Sequence, residues 1–219
     1  YDMPADKFLD ETDRVWEELK PLYESLHCHV RDELSRHYGE DIVAKTGNLP
    51  AHVLGNMWGQ SWSNIYDLVY KAESSPSTSK IDLTSILIDK DIDEIEMVRI
   101  AENFFISLGF EPLSDTFWER SLFVKPQDRN VVCHASAWDI DSDIDDLRIK
   151  MCIERNAEDF SVIHHELGHI FYYQAYSDLP DIFQRGANDG FHEAVGDLLS
   201  LSITPNYLQK IGMVTAEEA

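Results

Sequence analysis

The sequence predicts a mainly helical fold with a small β-hairpin beside a helix that carries metal-ligating residues. Three observations lead there. Apolar residues recur at spacings of three and four over residues 5–38, 91–108 and 156–174, the period of an amphipathic helix. Two short β-like runs, Val131–Trp138 and Leu147–Ile153, flank an acidic loop at 139–146. Immediately downstream, His165, Glu166 and His169 spell H-E-x-x-H.

The first helix is expected over residues 5–38, where Val15, Trp16, Leu19, Leu22, Tyr23, Leu26, Val30 and Leu34 form the stripe and Gly39 stops it. Pro21 should kink this helix or split it. His27-Cys28-His29 reads as helix surface, because neighbours one and two apart diverge and no further ligand lies near. After a turn at Gly47–Leu49, Pro50 suits the first position of a second helix running to about Ala72. That stretch holds Trp58 and Trp62, with Gln60 between them. The Ser/Thr/Pro-rich loop Ser74–Lys80 follows as a mobile excursion. Asp91 should then open an acidic scaffold helix with Ile95, Val98, Ala101, Phe105 and Leu108 on one side and Gly109 as its stop.

In the hairpin, Cys133 and Cys152 would face each other, so a disulfide there is geometrically reasonable, with Cys28 left over. The alternative is three free thiols in a reducing compartment. An edge strand at this place could take a peptide by strand addition.

The next helix carries the chemistry. Asn156 caps it, with Asp159 three residues on, and Phe160, Ile163, Leu167, Ile170 and Phe171 mark its apolar face. Residues four apart stack on one side of a helix, so His165 and His169 can point at one metal ion. Neutral imidazoles suit zinc, whose catalytic sites take three protein ligands and leave one position open. Glu166, about 100° round the helix, would stand beside that position as general base. The third ligand is expected from a following helix, and Gly190–Asp197 supplies Glu193, with Asp197 placed to accept a hydrogen bond from the far nitrogen of a ligating His. Asn188 or Asp189 caps this helix, Ala194, Val195, Leu198 and Leu199 give it an apolar side, and Pro205 ends it.

Composition bounds the partners. At 219 residues with 43% hydrophobic content the chain can bury a core. Lys and Arg total 18 against 41 Asp and Glu, a net charge of −23 that repels nucleic acid and anionic membrane surfaces. No apolar run reaches transmembrane length, so no membrane contact is expected in this segment. The start at Tyr1, without an initiator Met or a signal peptide, points to a removed upstream segment.

Four stretches in order, MWGQSW at 57–62, VVCHASAWD at 131–139, HHELGH at 164–169 and GFHEAVGD at 190–197, resemble the angiotensin-converting enzyme family of zinc peptidyl-dipeptidases over nearly the whole chain. The resemblance implies a gluzincin-type zinc metallopeptidase fold, a Zn2+ cofactor, a chloride influence, and release of C-terminal dipeptides from oligopeptides. It also implies roles. His165, His169 and Glu193 match zinc ligands, Glu166 the general base and later proton donor, and Asp197 the partner of a ligating His. His134 matches a residue that hydrogen-bonds the substrate carbonyl, Ala135 one whose backbone carbonyl grips the substrate amide, and Gln60 one that holds the terminal carboxylate. Cys133 and Cys152 match a family disulfide, and with it a secreted or extracellular location. Tyr1 aligns with a tyrosine that contacts chloride.

Residues 1–219 are accordingly expected to be part of a single catalytic domain, truncated at both ends relative to the family. The family's oxyanion-stabilising residues, its Lys and Tyr for the terminal carboxylate and its chloride-binding Arg would lie downstream. Two other readings remain: a carboxypeptidase releasing single residues, in which Arg and Pro replace the counterparts of Gln60 and Ala135, and a non-catalytic zinc-binding fragment or receptor ectodomain.

Overall fold

The computed structural model describes residues 3–55, 61–70 and 81–217. The chain divides into two compact units, Tyr1–Thr78 and Ser79–Ala219, each with its own apolar cluster.

In the first unit, helix α1 runs Ala5–Tyr38 without interruption. Pro21 does not split it. The Pro21 carbonyl accepts the Ser25 hydroxyl at 2.8 Å. Gly39 ends the helix at φ +89°, a conformation that only glycine takes readily. Val30 and Leu34, near its C-terminal end, pack with Val43, Val53, Leu54 and Ile65. The earlier part of the predicted stripe, with Val15, Trp16, Leu19, Leu22 and Leu26, stays exposed. Arg31 ties the following segment to α1 by donating to the carbonyls of Ala44 and Gly47.

The helix expected from Pro50 to about Ala72 does not form as one element. Pro50 caps a single 3-10 turn, Ala51–Val53. Gly55 then adopts φ +75°, which a right-handed helix cannot accommodate, and its carbonyl accepts Asn64 Nδ2 at 2.7 Å. A second 3-10 turn, Ser63–Ile65, leads into the four-residue α2, Tyr66–Val69. Trp58 and the loop Ser74–Lys80 lie outside the described residues.

The second unit starts with α3, Leu83–Asp89, whose first turn is closed by Asp82 accepting the Ser85 N–H at 3.1 Å. Helix α4 spans Glu94–Ser107 and opens at Asp93, two residues later than expected, since Asp91 is left-handed at φ +51°. Glu102, buried on α4, accepts the Leu113 N–H at 2.9 Å and so joins the helix to the turn beyond it. A short α5, Asp115–Arg120, follows. Its Trp118 ring lies 3.6 Å beneath the Arg99 guanidinium.

Strands β1, Ser136–Asp141, and β2, Asp146–Lys150, pair antiparallel with Trp138 opposite Arg148 and an irregularity between Asp139 and Asp141. The hairpin is therefore shorter than the two runs suggested. Asp145, at φ +51°, makes the turn. On its other side β2 bonds to Leu122, whose N–H donates to Ile149 O at 2.9 Å and whose carbonyl accepts from Met151 at 2.7 Å. Among the described residues, that leaves β1 at the edge. Asp146 is buried between Arg120 and Arg148, which hold its carboxyl below the usual range.

Helix α6, Ala157–Tyr176, is the centre of this unit. Phe160, Ile163, Leu167, Ile170 and Phe171 are essentially fully buried, and burial of each such side chain contributes about 2 kcal/mol. Phe171 stacks on Phe105 of α4 at 4.3 Å. Helix α7, Asp189–Ser200, lies against α6, and Thr204 caps a final α8, Pro205–Lys210. Pro205 thus begins a helix; α7 has already stopped at Ser200.

His164 is wholly enclosed by Phe104, Phe160 and Tyr207, and its Nδ1–H donates to the Phe160 carbonyl at 2.8 Å. Burial holds its pKa down to about 4, although the bond to Phe160 opposes the shift. The unfolded chain therefore binds a proton there that the folded chain refuses, and stability falls as pH drops from about 6.5. The loss approaches a value on the order of 3 kcal/mol as the pH nears the folded pKa. The melting temperature of the metal-free chain is expected to drop between pH 7 and 4 by about 5–10 °C from this group. His164→Phe should shrink that drop; an unchanged pH profile in the variant would refute the assignment.

Candidate metal centre

Helices α6 and α7 approach closely because glycines meet at the crossing. A Cβ on Gly168 would sit 3.0 Å from Gly196 Cα, and a Cβ on Gly196 would sit 2.8 Å from His165 Nδ1. Any larger residue would push the helices apart or displace the imidazole. Asn caps fix both helix starts: Asn156 Oδ1 accepts the Asp159 N–H at 2.7 Å, and Asn188 Oδ1 accepts the Phe191 N–H at 2.6 Å. On α7 only Gly196 is buried, while Ala194 and Leu198 are exposed. The apolar side expected for this helix is therefore only partly used, through Leu199.

Across this crossing, His165 Nε2 is 3.2 Å from Glu193 Oε2 and His169 Nε2 is 3.7 Å from Glu193 Oε1. One ligand atom from each of the three residues lies within 4.8 Å of the others. Two imidazoles and a carboxylate form a donor set that suits zinc. The far nitrogens are also partnered. His165 Nδ1 is 3.1 Å from Asp197 Oδ1, and His169 Nδ1 is 2.7 Å from His192 Nδ1. Burial, with the adjoining His165, lowers His169 to about 4, so its ring is neutral and its lone pair available at physiological pH.

Glu166 is buried, and its pKa is raised, by burial first and by the Glu193 charge, against opposing pulls from His165 and His134. It lines two adjoining cavities. One, of about 470 Å³, is bordered by Cys133, Cys152, Asp197 and Ser200; the other, of about 510 Å³, by Ser136, His169, Tyr173 and Glu193. His134, Ala135 and His165 border both. Cys133 and Cys152 are joined, with Cα atoms 5.1 Å apart, which anchors the chain just before His134 to the end of the hairpin. The Ala135 carbonyl, one residue before the edge strand, accepts a hydrogen bond from His134 Nδ1 at 2.8 Å. Tyr1 and Gln60 lie outside the described residues. The reading from sequence passed over His192, Gly168 and Gly196. The two glycines did carry a signal, because an isolated glycine within a helical pattern usually has a packing reason.

A mainly helical chain with a two-stranded sheet beside an H-E-x-x-H helix has the build of a zinc metallopeptidase. A family model described as angiotensin-converting enzyme (peptidase M2) matches residues 1–219, and the chain belongs to this family. It is 50% identical to angiotensin-converting enzyme of Bos taurus over 219 residues, covering 99% of this chain and 16% of that protein. It is 43% identical to the enzyme of that name from Haematobia irritans exigua, over 94% of this chain and 34% of the relative. The same identity holds for Theromyzon tessulatum, over 98% and 34%. The chain thus spans between about a sixth and a third of the length of these relatives.

Gly196→Ala is expected to weaken zinc binding by about tenfold or more, since the added Cβ collides with the His165 ring. Intrinsic propensity would favour the alanine by about 1 kcal/mol. Chelator competition on the variant, read beside its melting temperature, checks this; a more stable helix with unchanged zinc affinity would show that the close approach does not matter.

Proposed function

We propose that this chain carries the zinc-binding part of a peptidyl-dipeptidase catalytic domain, and that the whole protein releases dipeptides from the C-termini of oligopeptides. The observation that supports it most is the convergence of His165, His169 and Glu193 beside a cavity that Glu166 also lines. These three residues are the proposed ligands. Zinc, when bound, supplies a Lewis acid that polarises the scissile carbonyl.

The chain's own groups do the rest that can be assigned to it. Asp197 holds His165 in one tautomer and orientation. Glu166 takes the proton of the attacking water and passes it to the leaving amine; its raised pKa, a result of burial and the nearby Glu193 charge, brings it closer to the working pH of a general acid–base. Substrate backbone binds along the free edge of β1, where Ala135 offers the second lone pair of its carbonyl and His134 stands beside it. Gln60 is proposed to hydrogen-bond the terminal carboxylate, Tyr1 to contact a chloride ion, and the disulfide to reflect a secreted or extracellular protein. The charge of −23 disfavours nucleic-acid partners, and no helix among the described residues is long and apolar enough to cross a membrane.

In the whole protein, Glu166→Gln should keep zinc and lose turnover by about 10²–10⁴-fold, because only proton transfer is removed. Metal analysis alongside a peptide-cleavage assay decides it, and retained activity would sink the base assignment. A zinc-binding protein without any cleavage would favour the non-catalytic reading.

Cleavage register is a separate matter. Gln60 is neutral and only hydrogen-bonds a carboxylate, so the charge partner sits deeper and leaves room for two residues beyond the scissile bond. Product analysis on an unblocked oligopeptide is expected to give dipeptides, and Gln60→Arg to reduce them. Single amino acids from the unsubstituted protein would mean a carboxypeptidase.

A further inference from the structure

We infer that His192 is a positioning residue for His169: its Nδ1 accepts the His169 Nδ1–H and so fixes the tautomer and ring plane in which His169 meets the metal. The inference rests on the zinc reading of the site. Both ligand rings turn Nε2 toward Glu193, at 3.2 and 3.7 Å, so Nδ1 is the far nitrogen of each. A metal-ligating imidazole uses the lone pair of one nitrogen and carries its proton on the other. His169 therefore bears its proton on Nδ1, which lies 2.7 Å from His192 Nδ1. Two N–H groups cannot face each other at that distance, so His192 accepts at Nδ1 and is protonated at Nε2.

The surroundings hold His192 in this pose. Its ring lies against Tyr172 at 4.6 Å and Tyr173 at 4.8 Å, both on α6. Behind it, Gly186 leaves the room the ring needs, since a Cβ there would come within 2.8 Å of His192 Cδ2. The loop ahead of α7 is itself tied to α6, with the Ala187 N–H donating to the Tyr172 hydroxyl at 3.0 Å. His192 Nε2 is buried and has no hydrogen-bond partner among the described residues. Leaving that donor unpaired is unfavourable, but placing the proton on Nδ1 instead would set it against His169.

A consequence is that the two histidine ligands are unlike. His165 is backed by a carboxylate and His169 by a neutral imidazole, a weaker acceptor. His192 therefore orients its partner more than it raises its basicity.

The test uses the chain and zinc alone. His192→Phe keeps an aromatic ring between the tyrosines and removes the acceptor; His192→Asn keeps an acceptor near the position of Nδ1 and removes the ring. Chelator competition is expected to show a zinc Kd raised about 10–100-fold in the Phe variant, with Asn recovering most of the loss. Nitrogen-15 NMR of the unsubstituted zinc-loaded chain, which needs no variant to fold, should find His169 protonated at Nδ1 and His192 at Nε2. Unchanged affinity in the Phe variant, an Asn variant as weak as Phe, or a His192 protonated at Nδ1 would overturn the inference while the zinc reading stands. Failure of the unsubstituted chain to bind zinc would overturn both.

Discussion

Everything at the proposed centre depends on how closely α6 and α7 can pack. Gly168 and Gly196 set that distance: neither position has room for a Cβ without disturbing the other helix or the His165 ring. A glycine inside a helix costs about 1 kcal/mol relative to alanine. Here two of them bring a carboxylate from one helix to two imidazoles on the other. The aromatic stack of Phe105 on Phe171 and the enclosed His164 secure α6 on its other faces, so the helix that carries the imidazoles is the most deeply buried of its unit.

The edge strand and the disulfide extend the same frame to the rim of the two cavities. Leu122 pairs with β2 and, among the described residues, leaves β1 unpaired on one side, while the Cys133–Cys152 bond fixes the chain one residue before His134. Ala135 and His134 thereby border the same cavities as Glu166. Under the proposed function, a peptide laid along β1 would meet backbone acceptors and the Glu166 carboxylate in one place.

The parts of this arrangement governed by local periodicity were legible in the sequence. The cap at Asn156, the apolar face of α6 and the i, i+4 histidines follow from 3.6 residues per turn, and the structure reproduces the helix. Glu193 was legible as the carboxylate that a capped helix following the histidine pair supplies as third ligand, and the resemblance of GFHEAVGD implied the same role. The stretch after Pro50 was misread, because Gly55 at φ +75° breaks a pattern whose apolar spacing alone looks helical. Helices α3 and α5, at seven and six residues, are too short to display a period. His192 was invisible for a different reason: it acts on a residue 23 positions away across a helix pair, and nothing in local sequence reports such a contact. Glycine spacing hinted at the crossing but not at what it brings together.

Three side chains of two helices, two imidazoles and one carboxylate, form the single zinc site proposed for this chain. Zinc K-edge X-ray absorption of the zinc-loaded chain tests it most directly. A shell of nitrogen and oxygen donors with two imidazoles and no sulfur is expected. A shell containing sulfur, which the exposed free Cys28 could supply, or one with a different number of imidazoles, would contradict it.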